Sequence, residues 1–299
     1  MNTFEWILLG LAGLCWGSFL NVLIVRTISG ESIIFPGSKC PKCNTPLKWW
    51  QNIPIFSYFY LKGKCWWCGR VISTQYPIVE FVGMCIVLFA FIKNISKVDA
   101  ISVVMILSMF LVLSVTDVRE KKVSISQIFI IMIFGLIFNR HDIFNSISAG
   151  LIAAGVLTGI MLLGLKYLNK ETFGVGDIYM LAALGFVVGF DKLYLFLIYA
   201  LIAQFLLILP KYIVNLIRTE QLETLKYFIF FMCSCLFLYF LKNTSFMGSN
   251  VLLVFVLGFM LYFAYIVIKN TIKTINTTKT PSYSPLAPAI ALSCLLFFC

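Results

Sequence analysis

The chain has 299 residues, is 61% hydrophobic, carries 12% charged residues and has a net charge of +11 at pH 7. A soluble domain carries about 25% charge, so composition excludes an ordinary soluble globular protein. The apolar runs have bilayer-spanning length and are continuous rather than alternating, which argues for an all-α polytopic membrane protein and against a β-barrel.

Helices are predicted at 4–25, 77–93, 98–117, 125–138, 146–166, 175–190, 192–209, 226–242 and 250–269, with a shorter run at 286–298. About eight to ten of them would cross the membrane. The first run lacks a basic leading segment and contains Gly17, Ser18 and Asn21, so it reads as a retained helix rather than a signal peptide. The division is 1–25, the first transmembrane helix; 26–76, a soluble loop module; 77–210, the central helices; and 211–299, the C-terminal helices with an extra hairpin. The stretch 270–285 reads as a flexible linker, and Pro285 and Pro288 open the last run. Gly150, Ala153, Ala154 and Gly155 suit close helix packing in lipid. No internal repeat is visible.

The positive charge reads as a topology signal rather than a nucleic-acid surface, and no nucleic-acid partner is expected. Alternate loops collect eighteen of the 23 Lys and Arg residues, seven of them between Arg26 and Arg70. The opposite side holds only Lys93, Lys97, Arg140, Lys192 and Lys242. This bias puts the 26–76 loop in the cytoplasm and the N-terminus outside.

Cys40-Pro-Lys-Cys43 and Cys65-Trp-Trp-Cys68 form two C-x2-C knuckles at a spacing close to that of four-thiolate zinc sites. A loop this short cannot fold on apolar burial alone, so a bound metal would supply the missing free energy. A pair of disulfides is the alternative, and the reducing cytoplasm speaks against it. Four sulfurs leave no open coordination position, so the zinc would be structural. Cys15, Cys85, Cys233, Cys235, Cys294 and Cys299 lie in apolar runs and read as inert small hydrophobes.

Of the twelve acids, the topology places Glu5, Asp99, Asp142 and Asp191 outside. Glu31, Glu120, Glu171, Glu220 and Glu223 fall in polar cytoplasmic loops, which leaves Glu80, Asp117 and Asp177 at inner helix ends. A carboxylate beside a bilayer is expensive and is kept mainly where it works. Asp117 ends the third predicted helix and Asp177 begins the sixth, so both would sit at the inner face. The glycines of Gly174-Val175-Gly176-Asp177 allow a close backbone approach. The plainer alternative is a helix N-cap by Asp177 and a loop aspartate at 117 near Arg119. The one histidine, His141, lies on the outer side, which leaves H-E-x-x-H absent and a Ser-His-Asp triad without a base. Acid–base work at the inner face therefore falls to carboxylates.

Together these motifs resemble the type 4 prepilin peptidases, bifunctional leader peptidase/N-methyltransferases of the GxGD aspartyl type. The resemblance covers roughly residues 10–210. It includes Gly17-Ser18-Phe19-Leu20-Asn21, both cysteine pairs, Leu47 to Pro54, Leu61 to Cys65, Tyr76-Pro77-Ile78-Val79-Glu80, Thr116-Asp117-Val118-Arg119, Gly174 to Asp177 and Leu181 to Gly185. It implies that Asp117 and Asp177 are the catalytic pair. The substrates would be type IV prepilins and pseudopilins, cut after the glycine of a short basic leader. It also implies methylation of the new N-terminus with S-adenosylmethionine, and residence in the bacterial inner membrane with the zinc loop and active site on the cytoplasmic side.

Three positions depart from the family pattern. Tyr179 stands where a lysine is usual, Val123 and Ser124 stand where Ile-Pro is common, and the runs at 226–242 and 250–269 look like an added hairpin. In the expected mechanism the two carboxyls hold one proton between them. One draws a proton from water, which attacks the peptide carbonyl, and the other protonates the leaving amine. The rival readings are a proton-coupled transporter, a non-enzymatic zinc-containing scaffold, and an archaeal-type preflagellin peptidase. The four-cysteine loop argues against the last.

Overall fold

The computed structural model describes residues 2–92, 96–120, 123–168, 175–193 and 287–298, with isolated positions between 196 and 226. Almost all of these belong to one compact unit, Met1–Gln204 with Pro285–Cys299; a second unit spans Phe205–Ser284. The predicted helices at 226–242 and 250–269 and the linker at 270–285, except Pro285, fall in that second unit; apart from Lys226, these segments lie outside the described residues. The run at 192–209 is described only at scattered positions.

The helices are α1 (Thr3–Ser29), α2 (Phe56–Tyr60), α3 (Gln75–Ile92), α4 (Lys97–Glu120), α5 (Ile125–Phe138), α6 (Ile143–Leu168), α7 (Val175–Val188) and α8 (Ala287–Phe298). Each fully described apolar run is a helix, as continuous apolarity without alternation requires. Among the described residues, α1, α3 and α4 are long and apolar enough to cross a membrane, while Ile125–Phe138, Ile143–Gly159 and Val175–Val188 are shorter apolar segments. The fold is thus a mostly helical bundle with three candidate spans.

The end of the first helix differs from expectation in a way that changes a reading. The first helix runs past residue 25 to Ser29 and stops at Gly30, which takes a left-handed conformation at φ 70°. Arg26 is therefore not a loop residue. It lies buried in the last turn of α1, and its guanidinium donates to the carbonyls of Ser32 and Pro36. The charge that opens the loop in sequence instead ties the loop to the helix end.

α4 is the central helix and packs against α1, α3, α5 and α8, while α7 packs against α5 and α6. Phe110 and Leu113 of α4, Met180 and Leu184 of α7 and Ile290 of α8 are fully buried in the shared core. Trp16 of α1 donates its indole N–H to Ser108 Oγ of α4 at 2.8 Å.

Two pairs of helices approach through glycine. A Cβ on Gly17 would lie 2.6 Å from Glu80 Cα, and one on Gly83 would lie 2.5 Å from Gly17 Cα. α6 meets α7 in the same way, with a Cβ on Gly185 coming within 2.5 Å of Gly150 Cα. This is small-residue packing of the kind lipid-embedded helices use. Gly150 bears out the sequence reading, whereas Gly155 faces open space. Gly17→Val should force α1 and α3 apart. Overpacking of this kind costs about 1–3 kcal/mol, so thermal unfolding in detergent should show a lower Tm, whereas Gly155→Val should leave it unchanged.

The polar contacts sort the bundle into two ends. At one end Asn21 Nδ2 donates to the Tyr76 carbonyl at 3.0 Å, and Gln127 Nε2 donates to Thr27 Oγ1 at 3.2 Å. Val123 packs over Gly176 at the same end, its Cγ2 2.8 Å from where a Cβ would stand. At the other end Arg140 pairs with Asp99, Asn145 Nδ2 donates to Asp191 Oδ2 at 2.9 Å, and Asn139 Nδ2 donates to the carbonyls of Phe186 and Val187. The last two contacts satisfy carbonyls that the end of α7 leaves open.

Candidate active site and thiolate module

The four cysteines of the loop converge. The Sγ atoms of Cys40, Cys43, Cys65 and Cys68 all lie within 4.8 Å of one another, and none of the four is in a disulfide. The local fold explains why. In the first knuckle the Cys40 N–H donates to the Thr45 carbonyl at 3.0 Å and the Asn44 N–H to the Cys40 carbonyl at 2.9 Å. In the second the Cys65 N–H donates to the Arg70 carbonyl and the Gly69 N–H to the Cys65 carbonyl, both at 2.9 Å. Each knuckle turns through a positive φ directly after its second cysteine, at Asn44 (56°) and Gly69 (66°). Leu47 to Ser38 and Ile72 to Gly63 close both hairpins with equivalent backbone bonds. The module is one turn used twice, facing itself across four sulfurs.

The donor set fits a tetrahedral zinc. With Zn–S near 2.3 Å the sulfurs would stand about 3.8 Å apart, within the limit the cluster sets. The protons are shared unevenly. The Thr45 hydroxyl and N–H pull the Cys43 thiol down to about 6, and backbone N–H groups of the second knuckle also lower Cys65. At Cys68 the Arg70 N–H acts downward, but burial and the three neighbouring sulfurs outweigh it and push the thiol up to about 11. The set gives up its first proton readily and resists the last, as four crowded thiols must.

The aspartates lie at the end of the bundle that carries the module. Asp117 is 0% exposed and Asp177 is 5% exposed. Asp117 is in the last turn of α4, and its Oδ2 accepts the Ala287 N–H at 3.2 Å. Ala287 is the first residue of α8, so this carboxylate meets one of the orphan N–H groups and the positive end of that helix. Asp177 is the third residue of α7 and sits at the positive end of its own helix. Each carboxylate is therefore removed from water and held at a helix N-terminus. The Ser114 Oγ donates to the Phe110 carbonyl at 2.6 Å and lies 3.2 Å from the Ala287 carbonyl, which further fixes α8 against α4.

Val123, six residues after Asp117, packs directly over Gly176, the neighbour of Asp177. The second glycine of the G-x-G-D motif is thus where a branched side chain of another segment comes close; Gly174 lies outside the described residues. Tyr179, the position that departs from the family, is half-exposed.

Glu80 is the third inner acid. It is buried, and its Oε2 accepts the Ile55 N–H at 2.7 Å, so it binds the module to α3. Glu31 pairs with Lys39 at 3.1 Å on the surface, Glu120 is exposed, and Glu171, Glu220 and Glu223 lie outside the described residues. The contact of α8 with Asp117 was not visible in sequence.

A helical membrane bundle with a paired thiolate knuckle and two buried aspartates at one end defines a narrow class. Residues 11–94 match the family described as Bacterial Peptidase A24 N-terminal domain, and residues 104–210 match the Type IV leader peptidase family. Among curated relatives, a prepilin leader peptidase/N-methyltransferase of Klebsiella pneumoniae is 31% identical over 195 residues, covering 61% of this chain and 85% of that protein. One of Neisseria gonorrhoeae is 34% identical, covering 60% of this chain and 73% of that protein. One of Myxococcus xanthus is 33% identical, covering 58% of this chain and 53%, about half, of that longer relative. No solved structure matches. The chain belongs to the type IV leader peptidase family and is an enzyme of that type.

Proposed function

We propose that the chain is a membrane aspartic endopeptidase of the GxGD type, with Asp117 and Asp177 as its catalytic pair. It removes the short basic leader of type IV prepilins and pseudopilins after a glycine, then N-methylates the new N-terminal residue from S-adenosylmethionine. The observation that carries the proteolytic reading is the burial of Asp117 and Asp177 at helix N-termini on one end of the bundle. Burial works against two charges side by side, and a helix N-terminus supports one. The pair holds a single proton. The ionised member takes a proton from water, the resulting hydroxyl attacks the carbonyl carbon of the leader glycine, and the protonated member hands its proton to the departing amine.

The scissile bond of such a substrate joins a soluble leader to an inserted helix, and carboxylates at a membrane edge suit it. A proton-coupled carrier would be expected to keep its relay groups near the midplane and to pair them across repeats. The proposed topology has eight to ten spans in the bacterial inner membrane, with the knuckles and aspartates on the cytoplasmic side, in line with the Lys and Arg bias. Cys40, Cys43, Cys65 and Cys68 hold a structural zinc that organises the loop.

The methyl-transfer half is supported by the names of the relatives. The described residues form isolated backbone bridges and no parallel sheet on which a glycine-rich cofactor loop could sit. Purified protein incubated with an intact prepilin and S-adenosylmethionine should yield a leader-free product heavier by one methyl group. An uncleaved prepilin would overturn the peptidase. A cleaved product without the added methyl would remove methyl transfer alone.

A further inference from the structure

The module carries large apolar side chains on its surface. Trp49 is 80% exposed, Phe59 70%, Phe56 62% and Trp66 58%. Trp50 meets Tyr60 and Trp66 edge to face at 5.9 and 5.7 Å, and these rings line an apolar recess of about 360 Å³. Exposed apolar area of this extent marks an interaction surface.

Position and charge identify what covers it. The module is tied at both ends to candidate membrane spans, leaving α1 at Ser29 and entering α3 at Gln75. It does not stand off from them. The Ile55 N–H bonds to Glu80, five residues inside α3, or about 7.5 Å along the helix axis. A headgroup layer is about 5–8 Å thick, so this bond holds Ile55 against α3 at that depth. Between residues 30 and 74 there are six Lys and Arg and one acid, Glu31, which is paired with Lys39. Lys42, Lys48, Lys62, Lys64 and Arg70 are all exposed. A basic leader peptide would be repelled by such a module, whereas an acidic surface would be drawn to it.

We propose that the aromatic edge of the module, Trp49, Trp50, Phe56, Phe59, Tyr60 and Trp66, is seated in the headgroup layer of the bilayer that α1 and α3 span, with its lysines on anionic phospholipid. Tryptophan and tyrosine favour that layer because one end of each ring system is apolar and the other polar. Lysines close to an acidic membrane surface are drawn to its negative potential. This inference rests on the membrane spans and not on the peptidase reading.

The test uses the full chain in nanodiscs. Of its six tryptophans, Trp6 and Trp16 lie in α1, so Trp6→Phe/Trp16→Phe leaves only those of the module as reporters. With lipids brominated near the top of the acyl chains and a phosphatidylglycerol-rich composition, module fluorescence should be quenched by at least half and screened from aqueous acrylamide. Phosphatidylcholine-only discs, or Lys48→Glu/Lys62→Glu/Lys64→Glu, should weaken bromolipid quenching severalfold and open the rings to acrylamide. Retained metal content would show that the charge-reversed module is still folded. Tryptophans reached by acrylamide and untouched by bromolipid would overturn the proposal, and so would equal quenching in neutral and acidic discs. Leader cleavage measured on the same samples reports on the peptidase separately.

Discussion

Asp117→Asn and Asp177→Asn should each remove leader cleavage while the protein still inserts and folds. Loss of a positioned acid or base typically costs about 10²–10⁴-fold in rate, and a shared proton makes the two losses alike, since neither carboxyl works without the other. The choice of asparagine matters at position 117. Its amide oxygen can still accept the Ala287 N–H, so the start of α8 stays capped. Asp117→Ala should lose activity equally and also lose about 0.5–2 kcal/mol of stability with the cap. Rates by product mass spectrometry and Tm in detergent separate the two effects. A cleavage rate near wild type in either asparagine variant contradicts the dyad.

Removing one knuckle should have the second large effect. Cys40→Ser/Cys43→Ser leaves two sulfurs where four now converge within 4.8 Å. In small zinc-dependent folds the metal contributes about 10–16 kcal/mol. This module has little else: among its residues only Cys40, Gln51, Gly63 and Cys65 are buried. Elemental analysis should find about one zinc per wild-type chain and almost none in the double variant. Limited proteolysis should then cut between residues 30 and 74, leaving the helices intact. A metal-free wild-type protein whose module resists protease would contradict the zinc assignment.

Much of this arrangement was legible in the sequence, for physical reasons. Continuous apolar runs can only be helices in lipid, and α3 to α8 lie close to where those runs predict them. The three acids singled out by topology, Glu80, Asp117 and Asp177, are the three buried ones among the described residues. A buried carboxylate is costly enough to stand out in an apolar run. The repeated C-x2-C spacing gave the cluster because each tight turn delivers two sulfurs to one side.

What escaped was long-range and carried no periodic signal. Arg26 looked like the first loop charge, yet its helix continues for another turn and buries it. The cap on Asp117 comes from Ala287, 170 residues away, through a backbone N–H that any residue type could supply. Glu80 read as a third inner acid of unstated purpose, and its bond to Ile55 depends on how the module folds back against α3. Gly176 could have served a helix or a bound peptide, and its neighbour in the fold is the side chain of Val123.

The central claim is that the side chains of 117 and 177 reach a common point at one end of the bundle. Asp117→Cys/Asp177→Cys in membrane vesicles, treated with a short bifunctional thiol reagent and mapped by peptide mass spectrometry, tests it most directly. Asn145→Cys/Asp191→Cys, whose parent side chains touch at 2.9 Å at the opposite end, serves as the positive control. The account predicts a 117–177 link formed as efficiently as the control link. A clean control link with none between 117 and 177 would contradict it.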